Sequence, residues 1–182
     1  MSLLNTTARS RHQPRVTLFL FATVCWLAWP TPAQAELVVL SCPGTEVAAH
    51  SPALTNTPTS TAIHAHGVVG PCVGLPLGVV SAVYDLYASG VVSCSSGSAA
   101  VSSFVVNWSD GSASGLTLSG VVVQRLAGQV IRVETSTVTA GRFLGATVVR
   151  TVTLLETGFL ACGTPQGVPS LAGPVTMTVA GT

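Results

Sequence analysis

Gly115-Leu116-Thr117-Leu118-Ser119-Gly120-Val121-Val122-Val123-Gln124-Arg125-Leu126 is followed by Ala127-Gly128, and then by Gln129-Val130-Ile131-Arg132-Val133-Glu134-Thr135-Ser136-Thr137-Val138-Thr139. These two runs decide the fold class. Val, Ile and Thr are branched at Cβ and suit a pleated surface. Two small residues between such runs have the length of a tight hairpin turn. That turn sets Leu126 opposite Gln129 and Val122 opposite Val133. One face then carries Leu116, Leu118, Val122, Ile131 and Val133. The other carries Thr117, Ser119, Arg125, Arg132, Glu134 and Ser136, with Val121 and Val123 among them. The first face is the expected core and the second the expected wet face, the arrangement antiparallel sheets allow.

The same texture extends outward along the chain. Residues 36–182 contain 26 Val, 17 Thr, 17 Ser and 18 Gly, and no stretch shows an apolar stripe at helical spacing. Strands are expected at 45–50, 60–69, 79–93, 99–108, 115–126, 129–139, 146–156 and 174–180. Pro52 and Pro58 mark 51–59 as a loop, and 71–76 reads as another. Gly90 is expected to bend the third strand. Asp110-Gly111 nucleates a turn after Trp108, and 139–142 forms a further hairpin turn. The expected fold class is all-β, an antiparallel up-and-down barrel or a sandwich of about eight strands with two disulfides. Successive hairpins favour the barrel. A connection at 158–173 is long enough to cross over and leaves the Greek-key sandwich open.

Composition narrows the function classes. Charged residues make up 7% of the 182 and apolar ones 48%, against about 25% charge in typical soluble domains. A charged disordered tail is excluded, and the composition argues against a long helical bundle. There is no lysine and there are only seven arginines, so a nucleic-acid binder is excluded too. Arg9, Arg11 and Arg15 precede an apolar run at 16–29, then Pro30 and Pro32, then Ala33-Gln34-Ala35. This is the pattern of a secretory signal peptide over 1–35, ending at a small-x-small cleavage site. The apolar run is shorter than the roughly 20 residues a membrane span needs. Residues 36–182 are then one exported all-β domain, secreted, with no further span. It carries four arginines against six carboxylates, a net charge of −2.

Cys25 leaves with the signal, and Cys42, Cys72, Cys94 and Cys162 remain. An even number in an exported domain implies two disulfides. Four cysteines allow three pairings and the sequence does not choose among them. The pairing favoured is Cys42–Cys72, closing an N-terminal loop, with Cys94–Cys162 tying a central strand to the C-terminal segment. No two cysteines have the close spacing of a zinc site.

Candidate chemistry is sparse. His64 and His66 share a strand face. They are candidate metal ligands with His50 as a third, although two histidines on a solvated face are the commoner situation. Asp85, between Tyr84 and Tyr87, is the acid most suited to a pocket. Phe104 and Trp108 share strand parity and are candidates for an aromatic glycan-binding face, the competing reading being core packing. Gly111-Ser112-Ala113-Ser114-Gly115 places Ala113 where a nucleophile elbow needs serine. No phosphate-binding or dinucleotide fingerprint occurs, and no cofactor is expected. The expected role is a non-catalytic exported binding module for a glycan or a small apolar ligand. The alternative is a small barrel enzyme or carrier with its pocket around Asp85 and the tyrosines.

Thr139-Ala140-Gly141-Arg142-Phe143-Leu144-Gly145-Ala146-Thr147, Asn107-Trp108-Ser109-Asp110-Gly111 and Ala161-Cys162-Gly163-Thr164-Pro165-Gln166-Gly167-Val168 resemble segments of small exported four-cysteine β proteins of actinobacteria. The resemblance covers most of the mature chain and implies export and a β domain, but no activity. The turn around Arg142 and Phe143 also resembles one in allene-oxide-cyclase-like and dirigent-like proteins, which implies a barrel.

Overall fold

In a computed structural model, which describes residues 37–100, 103–126 and 129–181, the strand alternation closes on itself. The strands are β1 (Val38–Leu54), β2 (Thr59–Val69), β3 (Val73–Leu75), β4 (Ala82–Val92), β5 (Gly97–Ala100), β6 (Ser103–Trp108), β7 (Ala113–Leu126), β8 (Gln129–Gly141), β9 (Thr147–Leu155) and β10 (Val168–Gly181). A 3-10 helix, Glu156–Gly163, links the last two. Eight strands pair antiparallel in the order β1, β2, β4, β6, β7, β8, β9, β10. Strand β10 then returns to β1, from Val38↔Gly181 to Ala49↔Ser170, and closes an up-and-down barrel. Short β3 pairs with β1, and β5 with β4. Both disulfides are the favoured ones, Cys42–Cys72 and Cys94–Cys162. They suit an oxidising, extracellular setting. Among the described residues no helix is long and apolar enough to cross a membrane. The segment expected to be a signal peptide, 1–35, and the expected turn at Ala127-Gly128 lie outside the described residues.

Closure follows from strict alternation. In β1, Val38, Leu40, Cys42, Glu46 and Ala48 are buried while Val39, Thr45 and Val47 are exposed. In β2, every second residue from Thr61 to Val69 is buried. The interior is filled by Leu40, Leu86, Val106, Leu116, Val152 and Met177, among others. Trp108 seals one end. Its indole Nε1 donates to Ser114 Oγ at 2.8 Å, and its ring meets Phe143 edge-on at 5.2 Å. The turn beyond Trp108 forms as expected: Gly111 has φ 83°, and Ser112 N–H donates to Asp110 Oδ1 at 2.9 Å.

Several boundaries differ from expectation. Strand β1 starts at Val38, because Val38, Leu40 and Cys42 continue the inward alternation. It also runs on through Pro52 into the segment expected as a loop. The 71–76 loop holds β3, the 99–108 strand divides into β5 and β6, and β4 is shorter than 79–93. The 158–173 connection is the end of the 3-10 helix followed by the start of β10. It adds a barrel stave where a crossover would have made a sandwich. Strand β8 reaches Gly141, and the turn beyond it pivots on Phe143, at φ 62°.

The larger correction concerns the opening hairpin. Leu126↔Gln129 and Val122↔Val133 pair as expected, but the register shifts between Leu118 and Gly120. Ser119 is the extra residue there, and its Oγ donates to the Thr135 carbonyl at 2.9 Å. One inserted residue exchanges the faces of everything beyond it. Leu116 is buried as expected, whereas Val122 is 56% exposed and Ile131 and Val133 are only half-buried. The interior receives Val130, Arg132, Glu134, Ser136 and Val138 instead. The expected wet face of β8 is the inner wall of the barrel.

Candidate binding site on the outer wall

The inverted hairpin brings charge into the barrel, where it must be paired. Arg132 spans two carboxylates, with Nη2 on Glu46 Oε1 at 2.6 Å and Nε on Glu134 Oε1 at 2.8 Å. Arg150 lies between the same two acids, with Nη1 on Glu46 Oε2 at 3.2 Å and both Nε and Nη2 on Glu134 Oε2. Two arginines and two glutamates sum to zero. Tyr84 OH donates to Glu46 Oε2 at 2.7 Å. The Arg150 guanidinium sits over the Tyr84 ring at 4.7 Å and the Phe104 ring at 5.1 Å. Burial pushes the Tyr84 hydroxyl far above its ordinary range, so it stays a protonated donor. Burial alone would lower Arg150; Glu134, Glu46 and Tyr84 outweigh it and hold the guanidinium charged. Each charge in the cluster faces an opposite one, although Arg132 Nε and Arg150 Nη1 make ion pairs without a well-directed hydrogen bond, and the cluster is a structural tie between β1, β4, β8 and β9. The sequence reading missed it. Its only signal was that Glu46, Arg132, Glu134 and Arg150 stand at alternating positions of apolar strands.

The candidate residues divide between the two sides of the wall. Tyr84, Phe104 and Trp108 are interior, the last two 6% and 4% exposed. The proposed aromatic face of Phe104 and Trp108 therefore offers no ring to solvent. Asp85 and Tyr87 are exterior. Asp85 is half exposed on the outer wall. His50 is half-buried on the inner side of β1, opposite Ile63. Burial first and Arg132 second hold its pKa below the usual value.

Outside, register assembles the other candidates. Across β1, β2, β4 and β6, one row reads Val47, His66, Asp85, Val105. The next reads Ala49, His64, Tyr87. His64 Nε2 and His66 Nδ1 both donate to Asp85 Oδ1, at 2.9 and 3.0 Å. Hydrogen bonds from His66 and then His64 hold the Asp85 carboxyl below its ordinary value. The His64 ring stacks on Tyr87 with centroids 4.5 Å apart and planes 4° from parallel. The two histidines are thus locked by one carboxylate, and one of them braces a tyrosine that is 68% exposed. Small residues lie beside this pair. They leave a shallow groove of about 270 Å³, lined by Ala49, His50, Ser51, Ala62, Ile63, His64, Tyr87 and Ala88. Among the described residues no group of three His, Cys, Asp or Glu is set to hold a metal ion.

No family model, no curated protein and no solved structure matches the chain. The geometry alone has to carry the functional reading. The opposite wall shows what an undifferentiated surface of this barrel looks like. There Thr117, Thr137 and Thr147 form a cross-strand row, and Thr151 pairs with Thr176. That half presents repeated hydroxyls and methyls, whereas the β1–β6 half holds the histidines, the acid, the exposed tyrosine and the groove.

Proposed function

We propose that the chain is an exported, non-catalytic binding module that takes its ligand in the groove beside Tyr87. The observation that carries this reading is the stacked His64–Tyr87 pair standing over an apolar floor. Rigid aromatic faces beside small residues suit the flat apolar side of a ring. The polar edge formed by Ser51 and His64 suits hydroxyls at the ring's margin. A glycan is the ligand class that combines both, and a small apolar ring is the alternative. Export rests on the 1–35 pattern, the two disulfides and the resemblance to exported four-cysteine β proteins of actinobacteria. The enzyme or carrier reading has no comparable support, since the interior charges are spent on one another.

The test is a glycan array and a hydrophobic-dye displacement assay, run on the secreted wild type and on Tyr87→Ala. Binding in one of the two formats is expected, weakened about tenfold or more by Tyr87→Ala, the equivalent of about 1.4 kcal/mol. Blank results for the wild type in both formats, or an unaffected variant, would overturn the proposal.

A further inference from the structure

The two outer histidines spend their donors on one oxygen. A carboxylate only accepts hydrogen bonds, so His64 donates from Nε2 and His66 from Nδ1, both to Asp85 Oδ1. Asp85 Oδ2 has no partner among the described residues, and neither has His64 Nδ1 or His66 Nε2. In a neutral imidazole the second nitrogen is an acceptor. These three side chains, each nearly half exposed, therefore offer solvent acceptors alone. Strands β1, β2 and β4 carry no arginine and no lysine, so no fixed cation stands among them. Val47 beside His66 and Val105 beside Asp85 are apolar and half exposed. The row Val47, His66, Asp85 lies four residues along β1 from Ser51, which lines the groove. At a strand rise of about 3.3 Å per residue that is about 13 Å, longer than one sugar ring.

We propose that the Asp85 row is a second subsite and that the ligand is a non-acidic oligosaccharide. One sugar unit occupies the groove beside Tyr87, and a neighbouring unit donates its hydroxyls to Asp85 Oδ2 and to the free histidine nitrogens. This rests on the reading of the groove as a glycan site. Adjacent hydroxyls on a sugar are the donors that match adjacent acceptors on the wall, and a bond to an ionised carboxylate is of the stronger, charge-assisted kind. Val47 and Val105 flank these acceptors and suit the C–H side of the same ring. An acidic sugar would bring a second carboxylate against Asp85, with no arginine or lysine on these strands to offset it. Discrimination against acidic glycans then comes from repulsion as much as from the bonds made to neutral ones.

Isothermal titration calorimetry of the secreted wild type and of Asp85→Asn tests this, in buffer above the ordinary imidazole range. The probes are glucose, mannose and galactose, the neutral tetramer of each, and the tetramers of glucuronic, mannuronic and galacturonic acid. At least one neutral tetramer is expected to bind the wild type about tenfold more tightly than its own monosaccharide, and about tenfold more tightly than its acidic counterpart. Asp85→Asn is expected to lose most of the first advantage and, with the charge gone, to narrow the second. A neutral tetramer no tighter than its monosaccharide, an acidic tetramer that binds as well as the neutral one, or an Asp85→Asn with the wild-type pattern would each overturn the inference and leave glycan binding beside Tyr87 standing. A wild type that binds none of the neutral sugars, single or tetrameric, would overturn the glycan reading and this inference with it. The two wild-type comparisons need no variant, so they decide the matter even if Asp85→Asn disturbs the fold.

Discussion

Gly67 and Tyr84 stand directly opposite each other across β2 and β4, and the Tyr84 ring fills the space a side chain on Gly67 would need. The ring can lie there only because position 67 has no Cβ. From that seat its hydroxyl reaches Glu46 and its face supports Arg150. Gly67→Ala is therefore expected to do more than crowd the core. It displaces the ring and removes a hydrogen bond to a buried carboxylate, a combined cost of about 2–4 kcal/mol. Urea unfolding with the disulfides intact measures it. A cost near zero would mean that Tyr84 can leave without consequence for the network.

Arg150 is the cation that both glutamates share most deeply, and it is 1% exposed. Arg150→Met leaves Glu46 with Arg132 and Tyr84, and deprives Glu134 of one of its two arginines. Removing one partner of a buried pair costs about 3–5 kcal/mol. Adding Glu134→Leu removes the acid left short of charge, so the double variant is expected to be more stable than Arg150→Met alone. Strict additivity of the two losses, in a double-mutant cycle, would show that the pair is not coupled.

Much of this fold was legible in the chain. Val/Thr runs, the Asp110-Gly111 turn and the four cysteines of residues 36–182 led to an antiparallel all-β domain with two disulfides. The register Val122↔Val133 came from the turn length alone. The interior did not follow, because Ser119 is a single inserted residue with no side-chain signature, yet it decides which face of β8 is inside. Arg132 and Glu134 look like surface residues until a partner such as Arg150, on another strand, is known to face them. Such pairings depend on barrel closure, which alternation within one strand does not encode. The outer site was half legible. His64 and His66 share a face by parity, but Asp85 and Tyr87 join them only through the β2–β4 register, and the groove exists only because Ala49, Ser51 and Ala62 are neighbours across strands.

Acid should weaken the domain in two separate windows. His50 has a folded pKa below its ordinary 6.5, through burial and then Arg132. The unfolded chain therefore binds a proton first, and this contribution is complete above pH 6.5 and declines from there toward the folded value. Asp85 has a folded pKa below its ordinary 3.8, through His66 and His64. Its contribution is present above pH 3.8 and is lost as pH falls through the depressed value. A Tm profile against pH is expected to be flat above neutrality and to turn down below 6.5. His50→Asn should flatten the upper decline, and Asp85→Asn only the lower one. An unchanged upper limb in His50→Asn would assign that decline to other groups.

Trp108 and Tyr87 are both aromatic, and their substitution by alanine should have opposite consequences. Trp108 is buried against Phe143 and donates to Ser114, whose own Oγ donates to the Arg142 carbonyl. Trp108→Ala opens a cavity at one end of the barrel and is expected to cost about 3–5 kcal/mol. Tyr87 is exposed and touches the fold mainly through the His64 ring. Tyr87→Ala is expected to stay within about 1 kcal/mol of wild type, since exposed substitutions are usually small and the lost stack adds a fraction more. Thermal unfolding of the two variants side by side separates a residue kept for packing from one kept for contact. If Tyr87→Ala proved as damaging as Trp108→Ala, the exposed stack would be a structural brace, and the ring would no longer be available as a binding surface.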